Sequence, residues 1–141
     1  MTDLIVRIDL GPHGRIGPGK LVLLQKIEEL GSISAAGRAM NMSYRQAWGL
    51  VDQMNRAFKE PVVASKTGGN TGGGAQLTEF GKLLLAHCRS LIANTKRAAK
   101  PHLNFLDAVV INSDGEEPAD GKAGATLPAA KQRKRAAHSS Q

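Results

Sequence analysis

Residues 32–48, with the sequence SISAAGRAMNMSYRQAW, decide the fold of this chain. Ser32 is suited to cap a short helix of small residues, and Ser43 is suited to cap a second helix that begins at Tyr44. Between the two helices, Asn41 and Met42 leave room only for a tight turn. Because the first helix consists largely of alanine and glycine, the second can approach it closely. The stretch therefore predicts two helices joined by a tight turn.

The residues before this stretch predict a strand and a further helix. Alternating apolar residues from Leu4 to Leu10 have the period of a strand, which Gly11 and Pro12 interrupt. Pro18 suits the first position of a helix, and Gly31 suits the left-handed residue after its end. The apolar stripe of this helix over residues 18–30 contains Leu21, Leu23, Leu24, Ile27 and Leu30.

The helix that begins at Tyr44 is predicted to run to about Lys59, since Pro61 follows. A rotation of 100° per residue sorts its side chains into faces. The inward face holds Ala47, Leu50, Val51, Met54 and Phe58, and the outward face holds Arg45, Gly49, Asp52, Gln53 and Arg56. Tyr44, Trp48 and Asn55 share one shoulder between these faces, and we expect Trp48 to pack in the core.

Two short strands and a long helix complete the predicted domain. Residues 62–66 and 75–77 flank a loop rich in glycine, which indicates a β-hairpin. Thr78 caps a fourth helix, predicted to extend to about Lys100 and to end or kink at Pro101. The fold class is thus mostly α with a small β-hairpin wing, a winged helix-turn-helix. Its domain covers residues 1–106, and residues 107–141 form a low-complexity tail that is predicted to be disordered from residue 112.

The charge distribution favours a polyanionic partner. The formal net charge is +7, and residues 1–100 hold 14 Lys and Arg against 7 Asp and Glu. Residues 101–141 hold 5 of each kind, so the excess positive charge belongs to the predicted domain. The basic run Lys131–Arg135 is either a solvated tail or an anchor on DNA phosphates that does not depend on base sequence.

The order of helix, turn, helix and hairpin places specific side chains against double-stranded DNA. In the major groove, Arg45 is a candidate for guanine and Gln46 for adenine, while Ser43 and Tyr44 could reach phosphate or base. Gly49 would let the helix sit deep in the groove. The remaining candidate DNA contacts are Ser34 and Arg38 on the preceding helix and Lys66, Asn70 and Thr71 in the wing.

A competing motif lies at residues 14–20, where GRIGPGK fits the G-x-x-x-x-G-K pattern of a phosphate-binding loop. Leu21 stands where that loop needs Ser or Thr to hold Mg²⁺. In addition, the mostly helical pattern that follows cannot supply a parallel sheet. We therefore expect Pro18 to mark a helix start and the protein not to be an enzyme.

Other classes of site and location find little support in the sequence. The single cysteine, Cys88, permits no internal disulfide, and the scattered histidines and carboxylates suggest neither a metal site nor a catalytic group. We expect no cofactor and no small-molecule ligand. The chain has neither a recognisable signal peptide nor an apolar run of about 20 residues, so we expect a cytoplasmic protein without a membrane contact.

From Arg15 to about Leu106 the sequence resembles the amino-terminal domain of the ModE family of bacterial regulators and, more distantly, the LysR-type DNA-binding domain. The resemblance is carried by residues 15–19 (RIGPG), 32–36 (SISAA), 42–48 (MSYRQAW), 52–55 (DQMN), 67–69 (TGG), 72–74 (GGG) and 77–81 (LTEFG). It implies a homodimer whose two recognition helices bind a palindromic operator, with the fourth helix joining the subunits. The corresponding dimerisation residues are Phe80, Leu84, His87 and Leu91.

The sequence after this region departs from the family. Family members that sense molybdate carry oxyanion-binding domains there, whereas this chain has low-complexity residues, so we do not expect it to sense molybdate. The resulting hypothesis is a transcriptional regulator that binds DNA without a ligand of its own. The alternative is a winged-helix interaction module that modulates another regulator by forming a heterodimer with it.

Overall fold

A computed structural model describes residues 1–66 and 74–111 of the chain. The described residues divide into two compact units, one within Leu4–Ala98 and the other formed by Met1–Asp3 with residues 99–111. The elements in chain order are β1 (Ile8–Asp9), a 3-10 turn (Gly11–His13), β2 (Arg15–Ile16), α1 (Pro18–Leu30), α2 (Ile33–Ala39), α3 (Tyr44–Ala57), β3 (Val63–Lys66), β4 (Gly74–Leu77) and α4 (Glu79–Val109). This order confirms the predicted fold class, four helices with a small hairpin and a long last helix.

The helix boundaries follow from capping residues that the sequence predicted. Pro18 is the first residue of α1, and Gly31 ends that helix with a φ of 74°, in the left-handed region. The Ser32 hydroxyl accepts the amide of Ala35 at 2.8 Å, and the Ser43 hydroxyl accepts the amide of Gln46 at 3.0 Å. These contacts confirm both predicted N-caps and fix where α2 and α3 begin.

The core of the larger unit is built mainly from aliphatic side chains of α1, α2, α3, the hairpin and the first part of α4. Its most completely buried large side chains are Leu23, Leu24, Ile27, Met54 and Val62. Gly37 lies where α2 crosses α3, and a Cβ atom there would come within 3.0 Å of the Ala47 Cβ. The close approach predicted from the small residues of α2 is therefore confirmed. Apolar burial of this kind is the main stabilising contribution to a fold with few aromatic residues.

Both sheets are antiparallel pairs. β3 pairs with β4, with Val63 opposite Leu77 and Lys66 opposite Gly74, which confirms the predicted hairpin. The strand predicted over Leu4–Leu10 is wrong in length, since only Ile8 and Asp9 pair with β2. The alternation of exposed and half-buried side chains does extend from Leu4 to Leu10. The partner strand has two residues before Gly17 and Pro18 turn the chain into α1, so the ladder ends there.

The last helix begins where the sequence predicted it. The Thr78 hydroxyl accepts the amide of Gly81 at 2.8 Å and so caps α4. The prediction that this helix extends only to about Lys100 is wrong, because α4 continues through Pro101 to Val109. A proline inside a helix removes the hydrogen bond to the carbonyl four residues earlier, here that of Arg97. One missing bond has not ended a helix whose regular hydrogen bonds continue on the far side.

The smaller unit is held by polar contacts between the amino terminus and the end of α4. The Asp107 carboxylate accepts hydrogen bonds from the Thr2 backbone amide at 2.6 Å and from its hydroxyl at 2.8 Å. The same hydroxyl lies 3.1 Å from the carbonyl oxygen of Leu103. The domain boundary predicted at residue 106 stays a prediction, and the predicted disorder beyond residue 111 concerns residues outside the described part of the chain.

Candidate nucleic-acid interface

The first turn of α3 presents a row of exposed polar side chains. Tyr44, Arg45 and Gln46 are all exposed, and the Ser43 hydroxyl at the start of the helix is engaged as its cap. Among the described residues, the Arg45 guanidinium has neither a hydrogen-bond nor an ion-pair partner. A cation without an internal partner is available to a guanine edge or a phosphate. The four residues predicted for this turn therefore lie together at one end of the helix.

The outward face of α3 beyond this turn is open at Gly49. A Cβ atom at Gly49 would have no heavy atom within 4 Å, so neither packing nor close approach within the chain requires glycine there. One turn further, Asp52 and Arg56 form an ion pair with 3.1 Å between the carboxylate and the guanidinium. Arg56 is thus engaged within the helix, whereas Arg45 is not.

The two residues predicted on α2 lie against each other. The Arg38 guanidinium donates a hydrogen bond of 2.9 Å to the Ser34 hydroxyl, one helical turn apart. Arg38 is exposed and Ser34 is half-buried. The contact orders the cation of Arg38 on the surface of α2, so that a phosphate could bind it without a further cost of ordering the side chain.

Lys66 is exposed and is the last residue of β3. The described part of the chain ends there and resumes at Gly74. Asn70 and Thr71, the other predicted contacts of the wing, lie outside the described part of the chain. Near the loop, the hairpin is attached to the residue that ends α1, since the amide of Ala75, which lies opposite Ser65, donates to the carbonyl of Gly31 at 3.0 Å. Lys66 therefore lies one residue beyond a strand position that is tied to the helices.

Asn55 is a structural residue of this surface to which the sequence analysis assigned no function. Its side-chain oxygen accepts the backbone amides of Val62 at 2.7 Å and Val63 at 3.0 Å, and its amide donates to the carbonyl of Val63 at 3.1 Å. Asn55 thus positions the wing relative to α3. The sequence offered one signal for this role. Asn55 is a polar side chain on the shoulder of α3, and it lies seven residues before Val62, where the predicted strand begins.

The shoulder of α3 faces the hairpin across an open groove of about 450 Å³. Tyr44 and Trp48 line it from α3, and Ala64, Ser65 and Gly74 line it from the hairpin. The expectation that Trp48 packs in the core is wrong, since its side chain is 47% exposed. The facing residues of the hairpin are too small to cover an indole, and this explains the exposure.

The G-x-x-x-x-G-K segment has the geometry of a helix start. Gly17 is the N-cap of α1, and the ammonium of Lys20 donates to the carbonyl oxygen of Arg15 at 2.7 Å. Partial burial, and then the nearby charge of Arg15, lower the pKa of Lys20 below its ordinary value. The lysine that would bind a nucleotide phosphate is thus occupied by the backbone of its own loop.

The predicted dimerisation residues differ in their surroundings. Phe80 and Leu84 are half-buried and pack against the core of their own unit, and the Phe80 ring lies 5.5 Å from that of Phe58. His87 is exposed, and the Leu91 side chain is 45% exposed. Leu83, which was not predicted, is more exposed than either predicted leucine. Leu83 and Leu91, two exposed leucines eight residues apart, therefore define an exposed apolar strip of α4. This strip contains part of the predicted dimerisation set.

Two further observations concern the chemistry of the described residues. No three His, Cys, Asp or Glu side chains come together within residues 1–66 and 74–111 as a metal site would require. In the same ranges, no helix is both long and apolar enough to cross a membrane.

Comparison with known proteins agrees with this geometry. Residues 19–82, which include α1 from its second residue, α2, α3 and the strands of the hairpin, match the family described as bacterial regulatory helix-turn-helix protein, lysR family. The chain is 42% identical over 72 residues to the molybdenum transport protein ModE of Azotobacter vinelandii, covering 51% of this chain and 27% of the relative. It is 46% identical over 72 residues to the molybdenum-pterin-binding protein MopB of Rhodobacter capsulatus, with the same two shares.

A longer match links the chain to the DNA-binding transcriptional dual regulator ModE of Escherichia coli K12. The identity is 35% over 112 residues, which are 79% of this chain and 42% of the relative. The chain thus spans well under half the length of these relatives. Residues 19–82 thus match a LysR-type helix-turn-helix domain, and the chain is similar to part of the ModE proteins.

Proposed function

We propose that the protein binds double-stranded DNA as a homodimer and regulates transcription from a palindromic operator in the cytoplasm. The observation that carries the proposal is the first turn of α3, where Arg45 and Gln46 are exposed beside Tyr44 and the guanidinium has no internal partner. A helix of this kind fits the major groove, where base edges present distinct patterns of donors and acceptors. Binding and dimerisation are proposed to reside in residues 1–106.

The decisive experiment compares two arginines of the same helix. DNA fragments selected from a bacterial genome by the purified protein supply the specific duplex, and a random-sequence duplex of equal length supplies the reference. Arg45→Ala should weaken binding to the selected duplex by about 1–3 kcal/mol. Arg56→Lys is the control, because Arg56 is engaged with Asp52 in the last turn of α3 and lysine keeps a cation beside that carboxylate. Equal losses for the two variants would reject the proposed recognition turn.

The reference duplex separates two roles for Arg45. A base contact predicts a loss confined to the selected duplex, whereas a phosphate contact predicts the same loss on both duplexes and a shallower dependence on salt. If the unmodified protein retained no DNA at all but formed a stable complex with a full-length relative, the interaction-module hypothesis would replace this one.

The homodimer is proposed to use the exposed apolar strip of α4. Leu91→Asp places a charge on this strip and should shift the sedimentation coefficient to that of a monomer. Ala93→Asp adds the same charge to the same helix on another face, where residue 93 is also exposed. If Ala93→Asp were monomeric, or if Leu91→Asp stayed dimeric, the assignment of this strip to the dimer interface would be contradicted.

The target genes and the input signal are inferred from the relatives. Names such as molybdenum transport protein and molybdenum-pterin-binding protein suggest operators next to genes of molybdenum metabolism. We further propose that DNA binding by the protein does not respond to molybdate, since residues 112–141 have a low-complexity composition that does not suit an oxyanion-binding domain. An affinity for the selected duplex that changes on addition of molybdate would refute this part of the proposal.

A further inference from the structure

We propose that the groove between α3 and the hairpin receives one sugar–phosphate strand of the bound duplex, with the Trp48 indole packed against deoxyribose. The inference rests on the DNA-binding function proposed above. Trp48 is not among the DNA contacts proposed above, so this inference gives it a function for the first time. It also names the part of the nucleic acid, the sugar, that this residue contacts.

The distribution of aromatic side chains supports a partner at this groove. The chain contains one Trp, one Tyr and three Phe in 141 residues. The Trp and the Tyr line the same groove, and they are 47% and 57% exposed. Leaving large apolar rings in water forgoes the stabilisation that burial would give. Exposed neighbouring Trp and Tyr side chains are typical anchors of binding interfaces.

The position of the groove identifies the occupant. In the proposed complex, the first turn of α3 lies in the major groove and the hairpin reaches towards the adjacent minor groove. One strand of the duplex separates a major groove from the neighbouring minor groove. That strand must therefore pass between α3 and the hairpin, where Trp48 of α3 and Ser65 of β3 both line the groove.

The chemistry of the walls fits a strand whose sugars face inward. Cationic residues adjoin the lining: Arg38 donates to Ser34, Lys66 follows Ser65, and Arg45 follows Tyr44. Cations at the margins suit phosphates, and aromatic rings inside suit the apolar C–H faces of deoxyribose.

The one carboxylate that lines the groove does not oppose this assignment. The Asp52 side chain is 32% exposed, and its oxygen lies 3.1 Å from the guanidinium of Arg56. The ion pair offsets the negative charge that would otherwise repel a phosphate.

The wild-type protein provides the first test, because Trp48 is its single tryptophan. Acrylamide quenching of tryptophan fluorescence measures how accessible the indole is. A random-sequence 30-base-pair duplex at low salt, in saturating amount, should lower the quenching constant by half or more. If the duplex binds and the quenching constant stays unchanged, the inference is overturned while the proposed DNA-binding function stands. If no duplex binds under any condition, the proposed function itself fails.

Variants then test the contact with the sugar. Trp48→Ala should weaken binding to random and selected duplexes by the same factor, about tenfold, because deoxyribose is the same at every base. Its salt dependence should match that of wild type, since no phosphate contact is removed. Trp48→Phe should recover most of the affinity by restoring an aromatic face. Val22→Ala, an exposed truncation on α1 outside the groove, should bind as wild type does.

Two results would contradict the inference. A Trp48→Ala loss confined to the selected duplex would make Trp48 a base contact and overturn the assignment to the sugar. Binding by Trp48→Ala equal to that of Val22→Ala would overturn any role for the groove in holding DNA. Circular dichroism of both variants verifies their folding, and the quenching measurement on wild type needs no variant.

Discussion

Replacing Asn55 with alanine should destabilise the protein more than replacing any other polar side chain of α3 with alanine. The side chain makes three hydrogen bonds to the backbone of Val62 and Val63, at 2.7, 3.0 and 3.1 Å. Val62 is completely buried and Val63 is 5% exposed, so water cannot replace the lost partners easily. An amide left unpaired in such surroundings costs about 1–3 kcal/mol.

The expected loss is worked from these contacts. Two backbone amides and one carbonyl lose a partner, but the half-buried position of Asn55 admits some water, so we expect a total of about 3 kcal/mol. Alanine returns about 0.5 kcal/mol through its higher helix propensity. For a domain of this size, the net loss should lower the melting temperature by about 10–20 °C.

The assay is thermal and urea unfolding followed by circular dichroism, with Asn94→Ala as the matched control. Asn94 is also an asparagine in a helix, it is exposed, and its side chain contacts only Arg97 in the part of the chain that the structure describes. Its replacement should change the stability by less than about 0.5 kcal/mol. If Asn55→Ala and Asn94→Ala unfold at the same temperature, the hydrogen bonds to the hairpin do not stabilise the fold as argued.

Three further predictions concern packing and titration. Gly37→Ala should be neutral or destabilising, because its Cβ would lie 3.0 Å from the Ala47 Cβ of α3. Gly49→Ala should stabilise the protein by up to about 1 kcal/mol, because its Cβ would lie in open space. Urea midpoints that rank the two variants the other way would be inconsistent with this packing. Hydrogen bonds from Thr2, chiefly from its backbone amide and secondly from its hydroxyl, lower the pKa of Asp107. The stabilisation from this contact should therefore be present above the ordinary carboxyl pKa and be lost as the pH falls through the lowered pKa. NMR titration should show the pKa of Asp107 moving only part of the way back in Thr2→Val, which keeps the backbone amide, and a fully normal value would contradict the order of these causes. Burial raises the pKa of the Cys88 thiol, so iodoacetamide should alkylate it at least tenfold more slowly in the native protein than in urea, and equal rates would rule out the buried position.

Local signals in the sequence predicted the helix starts well, and most of the errors concern features that depend on contacts between distant parts of the chain. Ser32, Ser43 and Thr78 cap their helices as expected, because an N-cap depends on a hydroxyl and the next three residues. The length of β1 could not be predicted from its own alternation, since it depends on how many residues the partner strand offers.

The same distinction explains the candidate site. The exposed first turn of α3 follows from helical periodicity, which needs nothing beyond the segment itself. The exposure of Trp48 depends on the small residues Ala64 and Gly74 across the groove, and the role of Asn55 depends on where β3 begins. Both are contacts between distant parts of the chain. Pro101 shows the opposite error, since a strong local signal was outweighed by the helix around it.

The double attachment of the hairpin has a consequence for how such a protein can diverge. β4 is bonded near the loop to Gly31, at the end of α1, and the start of β3 is bonded to α3 through Asn55, so the strands are held at both ends independently of the residues that connect them. Insertions or exchanges within residues 67–73 should therefore leave the helical scaffold intact. Under the proposed function, substitutions in that segment could change the preferred DNA sequence without moving α3.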